Sequence, residues 1–361
     1  RHSFPTRRSS DLAMMQESSF ARDQSEASYN SLLGLAPTMA QFGYQNPTAP
    51  IANIRQQAVA QAATLAVVST VKVASNTYQA SPTALAVGSD NSLYAVDGSR
   101  VLKLVQNADA TQNATVMVLA SGFTSLNSVT VDPVGNVYVT DGGQVFKVAG
   151  GQKTLLTGST GLGLVDGALS QAKFSGTLAI AADGDGNLRV ADTGNNVLRK
   201  IDLTANTVST YDFSSVDVAL NAPAVISMEA SGVPGNEDWM RVIDSSNFWW
   251  LYKSNSSTGA SSYKPLVTPF VVGGMVRDSS GFEYYTDTLR SRIIRVNYGI
   301  CSAITRCDPP TESVYSGGSS AGNVDGPASS ATFNLPTALV KGPDGAMYVA
   351  DVGSRSIRKI K

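Results

Sequence analysis

The sequence contains almost no histidine and almost no cysteine. Among its 361 residues there is one histidine, His2, and there are two cysteines, Cys301 and Cys307. Histidine is the commonest general base and metal ligand in enzymes, so its scarcity argues against Ser-His-Asp hydrolysis, Cys-His chemistry and His-ligated zinc. The cysteines lack the C-x-x-C spacing of a redox or metal motif. They are a candidate disulfide in a polar loop, which favours an extracellular or secreted location.

Long apolar runs and a basic excess are also missing. No stretch reaches the roughly 18 apolar residues of a transmembrane helix, and the most apolar run, Leu65–Val68, is followed at once by Ser69 and Thr70. The formal net charge is −1, whereas nucleic-acid-binding domains usually carry a clear positive excess. We therefore expect a globular monomer without a membrane span and without nucleic-acid binding.

The first 61 residues differ in character from the rest. Residues 1–12, RHSFPTRRSSDL, look like the conceptual translation of a sequencing adapter and are set aside as foreign sequence. They include the only histidine. Residues 13–61 are polar, irregular and rich in Ser, Ala and Gln, which is typical of a poorly ordered leader or linker. The sequence thus assigns residues 62–361 to one repeat domain.

Within that domain one pattern occurs six times. The clearest copy is Leu335–Lys361, in which an apolar strand, the turn tripeptide Pro343-Asp344-Gly345 and a second strand are followed by a third strand at Ser356–Ile360. This third strand is expected to be the more exposed one. Each copy closes its second strand with an aspartate. The six are Asp97, Asp141, Asp192, Asp244, Asp287 and Asp351.

The spacing of these aspartates, 43 to 64 residues, is the period of a propeller built from blades of about four strands. We therefore predict an all-β, six-bladed β-propeller. The last copy ends after its third strand, so a strand within residues 66–73 is expected to complete that blade and close the ring, which removes an exposed edge. Candidate outer strands of the other blades are Thr115–Leu119, Lys153–Leu156, Thr207–Tyr211, Tyr263–Val267 and Glu312–Tyr315.

The amino-acid sequence of the last copy, PTALVKGPDGAMYVADVGSRSIRKI, resembles the NHL repeats of a β-propeller family. Two long connections support the resemblance, since Val165–Phe174 (VDGALSQAKF) parallels Val324–Phe333 (VDGPASSATF). The resemblance covers about residues 62–361 and is weaker in the fourth and fifth copies. It implies a disc whose loops on one face carry the binding site. Some NHL propellers bind single-stranded RNA, but the basic residues here, among them Arg199 and Arg358, are interpreted as a solvated strand face.

The repeated aspartates have two interpretations. A ring of carboxylates is able to bind Ca²⁺, which prefers several oxygen ligands. Aspartate followed closely by Gly, Ser or Thr, however, normally hydrogen-bonds the backbone of its own turn. We favour this second interpretation and expect no cofactor, with Ca²⁺ as the alternative. Asp166 and Asp325, each before a glycine, are expected to cap a turn of helix.

The inner strands are expected to line a central channel, and the residues next to their starts are uncharged. Thr83, Asn127 and Thr337 lie there, and with the six aspartates they form the candidate binding residues of the loop face. Propeller lactonases and senescence-marker-type hydrolases hold a divalent metal with Glu, Asn and Asp near the axis. Only Asn127, Asn221 and Glu229 offer such groups here, without that family's spacing.

The sequence thus favours a binding platform over an enzyme. Repeated short-strand blades give a rigid disc with variable loops, while a catalytic constellation is not visible. The expected partner is a protein or a glycan bound on the loop face. Two alternatives stay open, a metal-dependent propeller hydrolase and the sensor domain of a larger receptor.

Overall fold

The computed structural model describes residues 66–74, 77–78, 81–107, 112–212, 220–229, 239–245, 248–253, 262–265, 271–278, 281–297, 311–318 and 320–361. Regular structure in these ranges is β-strand, apart from the single 3-10 turns Thr193–Asn195 and Val352–Ser354. The described residues include no helix with the length and hydropathy of a membrane span. Residues 1–61 and both cysteines, Cys301 and Cys307, lie outside the described part, so the domain boundaries and the disulfide stay predictions.

The strands form six antiparallel sheets, numbered here in chain order. The first strand of the chain, β1, is Val67–Thr70 and belongs to sheet 6. Sheet 1 contains β2 Pro82–Val87, β3 Leu93–Asp97, β4 Arg100–Val105 and β5 Thr115–Ser121. Sheet 2 contains β6 Leu126–Val131, β7 Val137–Asp141, β8 Gln144–Ala149 and β9 Gln152–Thr157.

Sheet 3 has an additional short strand at its outer edge. It contains β10 Gly167–Ala168, β11 Leu178–Ala182, β12 Leu188–Asp192, β13 Val197–Asp202 and β14 Thr207–Thr210. Sheet 4 contains β15 Val225–Glu229, β16 Trp239–Ile243, β17 Phe248–Lys253 and β18 Ser262–Pro265. Sheet 5 contains β19 Met275–Arg277, β20 Glu283–Asp287, β21 Arg292–Asn297 and β22 Thr311–Ser316. The five predicted outer strands thus correspond to β5, β9, β14, β18 and β22, with ends shifted by up to two residues.

Sheet 6 joins the two ends of the repeat domain. It contains β23 Gly326–Pro327, β24 Pro336–Lys341, β25 Met347–Asp351 and β26 Ser356–Ile360. Strand β1 lies between β26 and β23 and pairs antiparallel with both. The prediction that Ser356–Ile360 is a more exposed strand is wrong, because β1 covers its outer edge and four of its five residues are buried.

The second strand of each sheet is buried on both faces, and this explains how the sheets pack. In β3, Leu93 and Ala95 belong to a hydrophobic cluster shared with Tyr348 of sheet 6. The alternate residues Tyr94 and Val96 belong to a cluster shared with sheet 2, as the two-residue period of a strand requires. Six such clusters join consecutive sheets, including sheet 6 with sheet 1. The all-β propeller that the sequence predicts is confirmed.

The inner strands of neighbouring sheets approach backbone to backbone at one seam. A Cβ atom on Gly274 would lie 2.3 Å from the backbone nitrogen of Leu339 in β24, and one on Gly273 would lie 2.2 Å from the Thr337 carbonyl oxygen. Real Cβ contacts are never this short, so a side chain there would push β24 away. Glycine at these two positions therefore sets how closely sheets 5 and 6 pack.

Gly274→Ala is expected to lower the free energy of unfolding by roughly 1–3 kcal/mol, the usual cost of forcing an extra methyl group into a packed core. Gly318→Ala is the matched control, because a Cβ atom at Gly318 meets no atom within 4 Å. The control is expected to change stability by no more than about 0.5 kcal/mol. Urea denaturation of both variants checks this, and equal midpoints would show that the close approach of the two strands is not a constraint.

Candidate functional site: the Asp face

One end of every sheet gathers the loops that the sequence analysis marked. The first residue of an inner strand lies opposite the aspartate that ends the second strand, as in the pairs Leu178 with Asp192 and Pro336 with Asp351. The loop entering the inner strand and the turn leaving the second strand therefore lie at the same end. We call the surface formed by these loops and turns the Asp face.

The six motif aspartates are buried at this end. Asp97, Asp192, Asp287 and Asp351 have no exposed surface, and Asp141 and Asp244 are 8% and 3% exposed. Most accept a backbone N–H from the loop before the inner strand of their own sheet. The donors are Thr124 for Asp141 (3.1 Å), Ser175 for Asp192 (2.8 Å), Asn221 for Asp244 (3.0 Å) and Asn334 for Asp351 (2.6 Å).

Asp287 accepts the N–H of Arg290 in its own turn at 3.4 Å, as expected, and Asp192 also accepts the side-chain amide of Asn195 in its own turn at 2.8 Å. The four backbone donors named above lie outside these turns. The donors lie about 17 to 23 residues earlier in the chain, because antiparallel pairing brings the start of the inner strand next to the end of the second strand. A sequence motif shows the turn that follows an aspartate, but it does not show a loop that returns from elsewhere. The carboxylates hold the Asp-face loops in position.

Arg199 of β13 forms the centre of an ion-pair cluster in sheet 3. Its fully buried guanidinium donates to Asp192 Oδ2 at 2.9 Å and to Asp166 Oδ1 at 2.6 Å. It also donates to two backbone carbonyl oxygens and lies over an aromatic ring. These groups belong to Lys173 (2.9 Å), Val165 (2.8 Å) and Phe174 (4.7 Å to the ring centroid).

Arg358 of β26 repeats this arrangement in sheet 6, and we call the two arrangements the arginine clamps. It donates to Asp351 Oδ2 at 3.2 Å and to Asp325 Oδ1 at 2.7 Å. The remaining contacts are with the Thr332 carbonyl (2.8 Å), the Val324 carbonyl (3.0 Å) and the Phe333 ring (5.2 Å). The two VDG segments, Val165–Phe174 and Val324–Phe333, are thus similar in sequence because each forms the same clamp around a buried arginine.

Two sequence interpretations are corrected by the clamps. Arg199 and Arg358 do not form a solvated strand face. Neighbouring sheets pack against both faces of the third strand, and both arginines are fully buried. Asp166 and Asp325 do not cap helices, since neither is followed by a helix. Their second oxygens instead accept the backbone N–H of an outer strand, Thr210 in sheet 3 and Thr70 in sheet 6, each at 2.9 Å.

Asp325 thereby connects strand β1 to sheet 6, and this contact depends on pH. Burial opposes ionisation, but the N–H and hydroxyl of Thr70 and the guanidinium of Arg358 outweigh it and lower the pKa of Asp325. A carboxyl whose pKa is lower in the folded than in the unfolded state stabilises the fold above its unfolded pKa of about 3.9. That contribution disappears as the pH falls through the folded-state pKa.

The stability difference between the wild type and Asp325→Asn is therefore expected to be largest above about pH 5 and to shrink towards pH 3. Thermal unfolding of both proteins across this range measures it. Asp185→Asn serves as a control for the general effect of removing one acidic side chain from an exposed turn. A difference that stays constant with pH would show that the charge of Asp325 does not hold β1.

Metal binding is the alternative interpretation of the aspartates. Burial raises the pKa of Asp192 and of Asp351, although hydrogen bonds from neighbouring side chains and backbone N–H groups partly oppose it. Those hydrogen bonds occupy the carboxylate oxygens. In the described ranges no three His, Cys, Asp or Glu side chains come together as a metal site would require. Calcium binding stays a prediction.

The three uncharged candidates lie on inner strands, in β2, β6 and β24. The Thr337 hydroxyl donates to the Thr83 carbonyl at 3.0 Å, and the Asn127 side-chain amide donates to the Leu178 carbonyl at 2.8 Å. These bonds connect the starts of neighbouring inner strands. Thr83 and Asn127 also keep exposed surface. The structure therefore separates the candidate residues into an uncharged inner rim and a buried set of carboxylates one strand further out.

Exposed apolar side chains on the Asp face are a feature that the sequence analysis missed. Leu289 is 70% exposed, Val271 51% and Leu335 42%. Their loops are linked, since the Thr288 N–H donates to the Val271 carbonyl and the Leu335 N–H to the Ser291 hydroxyl. We call these three residues the apolar rim. Further exposed apolar side chains lie in the clamped loops, at Leu162, Leu164, Val165 and Val324.

No family model and no curated protein matches the chain. Solved structures do resemble it. An auxiliary nutrient binding protein from Bacteroides thetaiotaomicron VPI-5482 is 13% identical with a TM-score of 0.57, over 82% of this chain and 76% of that one. A gluconolactonase from Xanthomonas campestris is 13% identical with a TM-score of 0.55, over 83% and 92%. Virginiamycin B lyase from Staphylococcus aureus is 10% identical with a TM-score of 0.53, over 82% and 99%.

Identities this low show a shared fold and nothing finer. A binding protein and two enzymes adopt a similar propeller, so the fold does not choose between these functions. The choice depends on the side chains of this chain, above all on what the Asp face presents.

Proposed function

We propose that this chain is an NHL-type propeller of six blades closed into a ring by its N-terminal strand. The six sheets and the clusters that join them in sequence, sheet 6 to sheet 1 included, support this architecture. The pairing of β1 with β26 supports closure. The repeated VDG segments, which form the same arginine clamp twice, support a repeat of the NHL type.

We further propose that the protein is a non-catalytic platform that binds a partner on the Asp face. The observation that carries this proposal is the apolar rim, where three exposed side chains from hydrogen-bonded loops stand at one seam. Apolar side chains that form one contiguous exposed surface are typical of a contact site. The buried carboxylates beneath are engaged in holding the loops, which gives the rim a rigid base.

A protein segment with apolar side chains fits the rim better than a glycan does, because aliphatic side chains offer a sugar no hydrogen bonds. Binding on a preformed surface also avoids the entropic cost of ordering loops. We expect such a partner to contact the seam between sheets 5 and 6. We also propose a secreted location, which rests on the candidate disulfide between Cys301 and Cys307. A role as the sensor domain of a larger receptor stays an alternative that the neighbouring sequence would test.

Selection of displayed random peptides against the whole chain tests the platform. The selected peptides are then measured against the wild type, the double variant Leu289→Ser/Leu335→Ser, and the control Val134→Ser. Val134 is 84% exposed in the β6–β7 turn at the opposite end of sheet 2. The rim variant is expected to bind at least about tenfold more weakly, or 1.4 kcal/mol, and the control to bind normally. Peptides that bind all three proteins equally would contradict the proposal.

A propeller hydrolase is the second candidate, and one buried carboxyl favours it. Glu283 of β20 is 3% exposed, accepts a hydrogen bond from Arg241 Nε at 3.0 Å, and accepts another from the Tyr285 hydroxyl. Burial raises its pKa. Buried carboxyls with raised pKa values occur at acid–base sites, although structural ion-pair networks produce them too.

Assays of lactone and ester hydrolysis, with divalent cations added, distinguish the two candidates. If the protein is a hydrolase, Glu283→Gln removes the turnover at a temperature at which circular dichroism shows that the variant is folded. This check is needed because the amide keeps the shape of the side chain but leaves the buried Arg241 without its anionic partner. If the platform proposal is right, neither the wild type nor the variant hydrolyses these substrates above the rate in buffer.

A further inference from the structure

The turn that carries Leu289 of the apolar rim has unbalanced charges. Asp287, which ends β20 and has no exposed surface, pairs through its Oδ2 atom with two arginines. Arg292 Nε lies 2.9 Å from this oxygen, and Arg290 Nη1 lies 3.3 Å from it. Residues 266–274, which precede β19 on the same side of the rim, contain no acidic residue. One negative charge thus faces two positive charges, and this side of the rim has a formal excess of +1.

The arginine clamps have the opposite imbalance. In sheet 6 the guanidinium of Arg358 pairs with both Asp351 and Asp325. The Asp325 side chain is 49% exposed, and it accepts hydrogen bonds from Thr70 of β1, the strand outside β26. The apolar rim therefore has its positive excess on the sheet 5 side and a solvated carboxylate towards the outer edge of sheet 6.

The excess positive charge is accessible to a partner. The Arg290 side chain is 50% exposed, against 24% for Arg292. In the chain, Arg290 lies between Leu289 and Ser291, whose hydroxyl accepts the Leu335 N–H at 3.2 Å. A partner that covers both leucines of the rim therefore covers or borders this guanidinium as well.

The chemistry of such a partner follows from the cost of covering an arginine. Apolar groups would remove water from the guanidinium without replacing its hydrogen bonds. Basic groups would add the repulsion of like charges across the interface. A carboxylate avoids both costs, because the planar guanidinium donates charge-assisted hydrogen bonds to it in a matching geometry.

We infer that the partner of the apolar rim is an acidic protein segment, with apolar side chains over Leu289 and Leu335 and an Asp or Glu carboxylate on Arg290. The inference rests on the proposed platform function and adds the charge and the orientation of the partner. The acidic residue contacts the sheet 5 side, since the exposed carboxylate of Asp325 repels acidic residues at the outer edge of sheet 6.

Three displayed peptide libraries, selected against the whole chain, test the sign of this charge. All three have random apolar residues at the same positions. The remaining positions are Asp or Glu in the first library, Asn or Gln in the second, and Lys or Arg in the third. Peptides recovered from the acidic library are expected to bind at least about tenfold more tightly than those from the basic library at low ionic strength, where exposed charges are least screened.

The outcomes separate this inference from the platform proposal. If no library yields a binding peptide, both are overturned. If the three libraries yield peptides of equal affinity that bind Leu289→Ser/Leu335→Ser more weakly, the platform stands and the inference about charge is overturned. Tightest binding by the basic library would overturn the inference too.

The variant Arg290→Met locates the carboxylate of the bound peptide. It removes the charge at a half-exposed side chain, and circular dichroism checks that it is folded. The tightest acidic peptide is expected to bind about threefold to fivefold more weakly to this variant, the upper range for an exposed ion pair. The same peptide with Asn and Gln in place of Asp and Glu is expected to bind the wild type and the variant equally.

Lys103→Met is the matched control. It removes the cation of another ion pair, with Asp90 at 3.0 Å in the turn at the opposite end of sheet 1. Binding of the acidic peptide is expected to be unchanged. An equal loss in Lys103→Met and Arg290→Met would show attraction by the overall charge and overturn the assignment to Arg290, as would full binding to Arg290→Met.

Discussion

Arg358→Met is expected to lower the free energy of unfolding by roughly 3–5 kcal/mol, the range measured when one partner of a buried ion pair is removed. Arg358 has no exposed surface and connects Asp351 of β25 with Asp325 of the loop. Methionine preserves much of the side-chain volume but leaves the buried carboxylate of Asp351 without its cation. It also leaves two backbone carbonyls without their donor.

Arg290→Met is the matched control for this prediction. Arg290 pairs with Asp287, another motif aspartate, at 3.3 Å, but its side chain is 50% exposed and well solvated. Exposed ion pairs typically contribute about 0–1 kcal/mol. Denaturant unfolding of both variants measures the difference. Similar losses in the two would show that burial does not make the clamp important.

Val68→Asp is expected to unfold the protein or to cost at least about 3 kcal/mol, because it places a charge where no partner or water is available. Val68 has no exposed surface and packs with Leu339 and Val349 of sheet 6. The prediction tests whether the first strand is part of the fold. If β1 were a loosely attached extension, a charge on it would be tolerated.

The neighbouring residue supplies the control for that experiment. Val67 lies in the same strand but is 50% exposed, so Val67→Asp is expected to change stability by no more than about 0.5 kcal/mol. Circular dichroism during heating compares the two variants. A pair of variants with equal melting temperatures would contradict the inward and outward alternation of β1 and the proposed closure of the ring by this strand.

The strands and turns were predictable because their signals are local. Met347–Ala350 is a short apolar run that suits a buried strand, Pro343-Asp344-Gly345 marks a turn, and the repeat of this pattern indicates blades. The outer strands followed from the spacing between repeats. Even the position of β1 followed, since a last copy without a fourth strand needs one from elsewhere in the chain.

The roles of the charged side chains were not predictable, because they depend on contacts between distant segments. Nothing in the sequence near Arg358 shows that Asp325, 33 residues earlier, lies beside it. A strand that mixes arginine and lysine with apolar residues, as Ser356–Ile360 does, resembles a solvated face. Only the packing of sheets against both of its faces shows that the arginine is buried. The exposure of Leu289 and Leu335 is also a property of the assembled surface.

The central claim is that the Asp face is the binding surface, and amide hydrogen exchange with a selected peptide bound tests it most directly. The account predicts slower exchange in the Asp-face segments 271–274, 288–291 and 332–336 when the peptide is present. The turns at the opposite end, within residues 88–92, 132–136 and 342–346, are predicted to exchange at unchanged rates. Protection confined to those opposite turns would contradict the account.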